Sequence, residues 1–567
     1  MIVSFPGTVA DAFHDICIVG SGPAGISLAL ELERLGLSSL ILESGCDRHS
    51  APHQALSAAE SYDPARHDDM RIATARRFGG ASNLWGGRCQ PMDAIDFLPR
   101  SGPRGASWPI AKTDLAPFHD RAAELLCCGK PVFNADLPDL PATDADYTAR
   151  PQERFSNRPA LQRAHELQLN RSRLITVCLD ATVVEARFNG DRVISLGVRS
   201  LDGTRADIRA RRFVLCCGGL ESTRLLMVFQ RAKPDLCGGQ GGALGRYYMG
   251  HLIGEVADIR IADAALDAAL DFRLDGYGSY ARHRLVPSAG LQQRDGLPNV
   301  SFWPVVPPVS DASHRDGILS AVYLAFAIAP LGRLLVAEAI RKRHVPPGVS
   351  ALPHIANVLR SLPRTAWHLP RLLWAHYAAR MRLPGFFLRN PARLYGLSYH
   401  AEQTPDADSR VWLGDATDSL GLPRLHIDLR FSRHDADALA RAHVRLDAWL
   451  QRNALGELIY RQPKARTAEA ILGQAAHGTH QIGTARMAET PKNGAVDPDL
   501  RCFGSENLYL CSSAVFPTSG QCNPTFTIVA LACRLAHRLS DPQAPLIVEK
   551  MYQADKKNMK KPTLLEA

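Results

Sequence analysis

Residues 15–45 read DICIVGSGPAGISLALELERLGLSSLILESG, and this stretch decides how the chain begins to fold. The apolar run 16–19 reads as a buried strand that ends at Gly20-Ser21-Gly22. A helical pattern follows through Ile26, Ala29 and Leu30, with Gly36 as its stop, and a second apolar run, 40–42, closes on Glu43. This is a βαβ unit with a dinucleotide fingerprint. Gly20 permits the tight turn, Gly22 lets the backbone approach a pyrophosphate, and Gly25 lets helix and strand pack closely. The helix start offers N–H groups and a positive dipole end to the phosphates. Glu43 is placed to accept hydrogen bonds from both ribose hydroxyls, which argues against a 2′-phosphate. This motif alone does not separate NAD from FAD.

The rest of the composition sets limits. A chain of 567 residues exceeds one hydrophobic core and is expected to divide into two or three domains. With 46% hydrophobic and 22% charged residues it has the make-up of a soluble globular protein, without repeats or low-complexity tracts. The first fifteen residues lack a basic region followed by a long apolar stretch, and lack twin arginines, so a mature cytoplasmic start is expected. Thirteen cysteines, most in apolar runs (Cys17, Cys216, Cys217, Cys511, Cys533) and without paired CxxC motifs, are expected to be buried reduced thiols, with no metal site. The net charge of +9 is local: residues 317–401 hold eleven Lys or Arg against one acid, Glu338, a surplus of ten.

A second glycine-rich stretch, RFGGASNLWGGRCQPMDAIDF (77–97), places Gly79, Gly80, Gly86 and Gly87 around Ser82, Asn83 and Trp85. Its plain reading is a long surface loop. A flat flavin ring, however, needs backbone at van der Waals distance, small side chains and a few donors for its carbonyls, and this stretch has all three. Further on, 213–217 is strand-like, ends at Gly218-Gly219 and leads into a helical pattern, 220–229. That strand–turn–helix returns the chain to the nucleotide-binding sheet, and ATVVEARF (181–188) reads as an earlier strand of the same excursion.

These stretches resemble the glucose–methanol–choline (GMC) oxidoreductases. So do VLCCGGLESTRLLM (214–227), LGRYYMGH (244–251), EQTPDADSRVWLGD (402–415), HGTHQIGTARM (477–487) and NLYLCSSAVFPTSGQCNPTFTIVALACRLAHRL (507–539), all in the family's order. The resemblance spans about residues 15–540, and SSAVFPTSGQCNPT is most similar to the sugar-oxidising branch, which includes pyranose 2-oxidase and the gluconate and fructose dehydrogenases. It implies FAD and an α/β fold, α+β overall. A discontinuous Rossmann-like FAD-binding domain would comprise 1–110, 170–258 and 474–545, and a substrate domain of antiparallel sheet with helices would comprise 111–169 and 259–473. The latter would carry a basic apolar helical insert at 315–395, and 546–567 would form a C-terminal tail. The implied cofactor-binding residues are Gly20, Gly22, Gly25, Glu43, Gly80, Ser82, Asn83, Trp85, Gly86, Val183 (near the adenine), Gly218, Ser513, Pro524 and Thr525. Two departures stand out. Many members have Asp in the segment aligned with 510–513, where this chain has Cys511-Ser512-Ser513. The histidine through which some pyranose oxidases bind FAD covalently has no match in GGASNLWGG, so non-covalent FAD is expected.

Asn523-Pro524-Thr525 opens an amphipathic helix with Phe526, Val529, Leu531, Leu535 and Leu539 along it. Asn523 reads as the N-cap and Pro524 as the first helical residue. A helix start also presents partial positive charge, which suits the negative charge near N1 and O2 of reduced flavin. His480 is one of twenty histidines. The resemblance singles it out as the family's catalytic histidine and Asn523 as its His-or-Asn partner, the two facing flavin N5; His477 is the neighbouring competitor. The chemistry so implied is transfer of a hydride from a CH–OH carbon while a neutral imidazole takes the hydroxyl proton. The substrate would be a sugar, glycoside or other small-molecule alcohol. The electron acceptor would be a quinone, a carrier protein or oxygen, with a quinone or carrier, and so a dehydrogenase, as the leading reading. A non-redox GMC-like lyase, or a flavin-binding protein without turnover, is the alternative.

The basic insert reads ILSAVYLAFAIAPLGRLLVAEAI, then RKRH, then pieces punctuated by Pro353, Pro363, Pro370 and Pro384. Its longest apolar run falls short of the ~20 residues a spanning helix needs. Trp367, Trp374, Tyr377, Phe386 and Phe387 are interleaved with arginines. Three readings stand: a helical cap with a solvated basic face, a helix set on an anionic membrane surface through residues 318–393, or a site for an acidic protein or electron acceptor. The expected localisation is cytoplasmic, with the inner face of the membrane as the variant. Nucleic acid is not expected, because the arginines come with apolar bulk and no recognisable binding module.

Overall fold

Parallel strands Phe13–Val19 and Ser39–Leu42 flank helix Pro23–Arg34, as the opening motif requires. The computed structural model describes residues 1–540 except 11, 100–106, 141–142, 337 and 386. The tail at 546–567, the last residues of 474–545 and Phe386 therefore lie outside the described residues. All of Ser39–Leu42 is buried, as a parallel strand covered on both faces must be. The sheet runs in the order Ile2–Ser4, Ile175–Leu179, Ser39–Leu42, Phe13–Val19, Arg205–Leu215, Arg192–Arg199, Thr182–Asn189. Arg205–Leu215 is shared along its length. Its start pairs antiparallel with Arg192–Arg199, and its last residues pair parallel with both Phe13–Val19 and Leu508–Leu510. Three distant parts of the chain thus make one sheet, and helix Thr525–Ser540 packs on it beside Pro23–Arg34.

A second, antiparallel sheet has the order Val300–Val305, Leu394–Glu402, His251–Ile261, Gly456–Tyr460. Helix Arg433–Arg452 covers it with Leu439, Ala442, Leu446 and Trp449, all fully buried. Beside it, Arg88–Cys89, Gln152–Phe155, Tyr280–His283 and Arg273–Leu274 form a smaller antiparallel sheet. The architecture is α/β, with an antiparallel α+β second layer.

Two expected boundaries move. His251–Ile261 lies wholly in the antiparallel sheet, so the segment expected to run to 258 ends near 250. Nor do residues 111–135 belong to the substrate layer. Leu115, Phe118, Ala122, Leu125 and Cys128 are buried in the core of the first sheet, and the rings of His119 and Phe133 meet Phe526 edge-on at 5.3 and 4.9 Å. Of 111–169, Tyr147 and Ala149 join the core of the antiparallel sheet. The thirteen cysteines are all free, and ten are buried.

Candidate active site

Three backbone segments meet at the carboxyl end of the first sheet. A Cβ added to Gly20 would lie 2.7 Å from the Cys216 carbonyl oxygen, one on Gly25 2.0 Å from the Gly20 oxygen, and one on Gly80 2.9 Å from Gly22 Cα. The two glycine-rich loops are tied together, the Gly79 N–H donating to Ser21 Oγ at 3.1 Å. Other glycines front open space: a Cβ on Gly86 or Gly218 would meet nothing within 4 Å, and on Gly22 only the Cys216 oxygen at 3.9 Å. Helix Pro23–Arg34 starts here without a side-chain cap, so its first-turn N–H groups have no partner within the helix. Bare backbone on its walls and an uncapped helix start fit this cleft to a dinucleotide pyrophosphate.

Buried Glu43 stands at the end of Ser39–Leu42. Its Oε2 accepts from Ser21 N (3.0 Å) and Ser21 Oγ (2.5 Å), and its Oε1 accepts from Gly45 N (2.8 Å), so it braces the phosphate loop as well as facing the nucleotide side. Its carbonyl accepts from Ala181 N at 2.9 Å, which brings the strand carrying Val183 alongside. In the second glycine-rich loop the polar side chains are spent internally. Ser82 Oγ donates to Gly79 O (2.6 Å), and Asn83 Nδ2 donates to Phe78 O (3.0 Å) and Gly80 O (2.9 Å). Trp85 Nε1 donates to Pro159 O at 2.8 Å. These groups shape the loop, and the donors it has left for a flat ring are chiefly those of its backbone.

At the C-terminal segment the helix is Thr525–Ser540, and Ile528 N donates to Pro524 O at 2.9 Å. Pro524 is therefore the capping residue, and Asn523 lies one position ahead of the cap expected of it. Released from capping, Asn523 Nδ2 approaches His480 Nε2 at 3.1 Å, and its buried Oδ1 has no hydrogen-bond partner. Ser513 Oγ donates to Gln481 O at 2.6 Å, and Gly219 packs on that same carbonyl, which fixes the loop carrying His480.

His480 sits among three further histidines. Its Nδ1 is 3.0 Å from His251 Nδ1, and His251 Nε2 is 3.3 Å from Ser519 O. His480 N donates to His477 Nε2 at 3.2 Å, and His400, ring to ring with His251 at 4.2 Å, donates from Nδ1 to Gln521 O at 2.6 Å. A carbonyl only accepts, and this orders the protons. His251 donates from Nε2 to Ser519 O and accepts at Nδ1 from His480, which leaves His480 Nε2 as the lone-pair nitrogen facing Asn523. Burial, with the Arg88 cation adding to it, pushes the His480 imidazole down to about 3, and His251 and His400 are likewise driven well below the usual histidine range. A nitrogen from each of His251, His477 and His480 lies within 4.8 Å of the others, a spacing that would admit a metal ion and that the motifs gave no sign of. The bond between His480 and His251 satisfies two of those rings without one.

Against the histidines lies a buried cage of charge. Glu153, fully buried, pairs with Arg88, Arg282 (Nε to Oε1, 2.9 Å) and Arg284 (3.3 Å). All three guanidiniums lie over the Trp303 ring, at 4.3, 5.3 and 4.7 Å. Burial alone would raise the Glu153 carboxyl, but Arg282, Arg88 and Arg284 outweigh it and hold it down to about 2. None of the cage, nor His251 or His400, was singled out from sequence. Arg88 and His251 stand inside the quoted motifs; Glu153, Arg282, Trp303 and His400 lie on strands whose alternation carries no chemical signal, and Arg284 follows directly on one.

Residues 405–532 match the family model described as GMC oxidoreductase, and residues 14–60 match the FAD binding domain model. The C-glycoside 3-oxidase of Arthrobacter globiformis is 30% identical over 175 residues, a match that spans 30% of this chain and 31% of that protein. Paromamine 6'-oxidase of Streptomyces fradiae is 23% identical, over 93% of this chain and 91% of its own length. The 2-methyl-1,2-propanediol dehydrogenase of Mycolicibacterium austroafricanum is 21% identical, over 93% and 96%.

Proposed function

The chain belongs to the GMC oxidoreductases, and from that premise we propose that it is an FAD-dependent enzyme that oxidises the CH–OH group of a sugar, glycoside or other alcohol to a carbonyl. The observation that carries this reading is the pairing of Asn523 with His480 at 3.1 Å, on a histidine whose Nε2 is kept unprotonated. The relatives described above are two oxidases and a dehydrogenase, which favours this reading over a lyase.

The residues divide the work. Gly20, Gly22 and Gly25 with the start of helix Pro23–Arg34 would hold the pyrophosphate, and Glu43 the ribose. Val183 would lie near the adenine, and Gly80, Trp85, Gly86, Gly218, Ser513, Pro524 and Thr525 would surround the ring. FAD, when bound, supplies the acceptor for the hydride. Asn523 Nδ2 orients the substrate oxygen, and His480 Nε2 receives the hydroxyl proton as the C–H bond breaks. His251 acts through His480, holding it in the tautomer that leaves Nε2 without a proton. Electrons then pass to a quinone or carrier protein; peroxide release that matched substrate consumption in air would assign oxygen instead.

Anaerobic mixing with a panel of sugars, glycosides and alcohols is expected to bleach the visible flavin band for the true substrate class. Protein that stays colourless after reconstitution, or flavin that no hydroxyl compound bleaches, would overturn the reading. Acid precipitation is expected to leave the flavin in the supernatant, as befits non-covalent FAD; flavin mass retained on the polypeptide would contradict it.

A pH profile follows from the buried imidazole. Because His480 Nε2 stays neutral down to about 3, kcat/KM should remain level as pH falls through 6.5, the usual histidine value. Arg88→Met removes one of the two causes of that depression, so its acid limb should appear at higher pH than in the parent. Initial rates from pH 8 downward measure both, and coincident limbs would show that Arg88 does not act on His480.

A further inference from the structure

Ten of the twenty-one exposed large apolar side chains among the described residues lie between Ile328 and Tyr377. They are arranged rather than scattered. Helix Ala351–Arg360 buries two polar residues, His354 and Asn357, which hydrogen-bond to Ser320 Oγ, Asn357 also reaching Ala312 O. Its apolar residues Leu352, Ile355 and Leu359, spaced i, i+3, i+7 on the opposite face, point into solvent, Leu352 being 74% and Leu359 65% exposed. A helix that turns its polar stripe inward and its apolar stripe outward has its partner outside the protein. The next helix, Leu362–Tyr377, buries only Thr365 among its sixteen residues. Trp367 and Trp374, seven residues apart and so on one face, are 63% and 64% exposed.

The inward side is already satisfied. Leu319, Val322, Tyr323 and Phe326 of helix Gly317–Ala327 form a private core, and His354 stacks on Tyr323 at 4.0 Å. The outward face therefore does not serve to hold the insert together. Its charge is one-sided: the single acid of 317–401, Glu338, is bound to Arg341 and Arg333, while Arg360 and Arg371 have no carboxylate partner among the described residues. The Arg371 guanidinium lies 3.5 Å from the centre of the Trp367 ring, an aromatic–cation pair of the kind that sits at headgroup level. Among the described residues no single helix is long and apolar enough to cross a bilayer.

We propose that this face, Leu352, Ile355 and Leu359 with Trp367 and Trp374, docks flat on an anionic lipid bilayer. The apolar side chains enter the headgroup–acyl boundary, and Arg360 and Arg371 meet anionic headgroups. The occupant is a bilayer rather than an acidic protein because two consecutive helices each leave large apolar side chains in solvent, and the cations among them, Arg360 and Arg371, have no matching acids among the described residues. The insert leaves the antiparallel sheet after Val300–Val305 and returns at Leu394–Glu402, the strands that carry Trp303 and His400 beside His480. Arg382 ties it to the flavin-loop side through the Gly86 carbonyl at 3.1 Å. Docking would thus hold the catalytic layer at the membrane surface.

The test uses full-length flavin-loaded protein and sedimentation with phosphatidylcholine vesicles, with and without phosphatidylglycerol. The expected result is partition onto the anionic vesicles only, weakened by salt. The paired substitution Trp367→Ser and Trp374→Ser should lower partition by about tenfold or more, and the pair Leu352→Ser and Leu359→Ser should do likewise. Both variants should keep parental flavin content and thermal midpoint, because none of these side chains belongs to the insert's core. Equal partition by parent and variants, or no partition by the parent, would overturn the proposal. So would a concentration-dependent oligomer of the parent that the same substitutions abolish, since the face would then bind a second copy.

Discussion

Replacing His480 by alanine slows substrate-driven bleaching of the bound flavin by about 10²–10⁴-fold, the range a positioned general base contributes. The loss is that large because no neighbouring imidazole stands beside Asn523 as His480 does. His477 Nε2 faces the backbone N–H of residue 480 at 3.2 Å, and that bond survives the substitution; His251 and His400 lie in the wall behind, each with one ring nitrogen held by a backbone carbonyl. Flavin content should not change, since no hydrogen bond joins His480 to the glycine-rich loops that would cradle the nucleotide. His251→Leu provides the comparison. It leaves Nε2 of His480 in place but removes the acceptor that fixes its tautomer, so a smaller loss with a shifted pH profile is expected. Anaerobic stopped-flow at saturating substrate measures both, and a His480→Ala rate within a few-fold of the parent would mean that the hydroxyl proton goes elsewhere.

Glu153→Leu is expected to be the most destabilising single substitution in the catalytic layer, costing about 3–5 kcal/mol because it leaves buried guanidiniums without their counter-charge. Glu153 is fully buried and is the one carboxylate shared by Arg88, Arg282 and Arg284. Surface pairs elsewhere, such as Arg187 with Asp207, should cost well under 1 kcal/mol when broken. The pH dependence has a definite sign. A carboxyl held down to about 2 from an ordinary 4.5 contributes stability that is full above 4.5 and is lost as pH falls toward 2. The buried neutral histidines act in the same direction, because the unfolded chain takes up protons below 6.5 that His251, His400 and His480 refuse in the fold. Thermal melts followed by circular dichroism should therefore show the parent weakening below pH 6.5. For Glu153→Leu the acid-dependent loss should be shallower, from a midpoint already lower by roughly 5–10 °C. A midpoint within a degree of the parent would show that the cage does not depend on its carboxylate.

The parts of this architecture that were legible in sequence are those where backbone geometry dictates residue type. Gly20 must be glycine because its φ is +100° and the Cys216 carbonyl lies where a Cβ would stand, so the βαβ unit announces itself. The boundary near 250 was not legible: the strand at His251 alternates like any other, and only register assigns it to the antiparallel sheet. His480 and Asn523 were legible through family resemblance, but the histidine wall and arginine cage were not. Cross-strand pairing of Ser301 with His400, and of Arg282 with Glu153, assembles them from segments more than a hundred residues apart in places, and no local spacing encodes such pairing. The misassigned cap shows a finer limit. Asn-Pro-Thr reads equally well with the helix starting one residue earlier, and that single step decides whether the amide serves the backbone or reaches an imidazole.

The basic helical insert has an architectural consequence of its own. Val305 and Gly396 are direct cross-strand partners, so the polypeptide between them starts and finishes at neighbouring points of one ladder. A short reverse turn would join the same two residues. The region is thus a cassette clipped into a hairpin, and its removal would leave the ladder beneath it with both ends still in register.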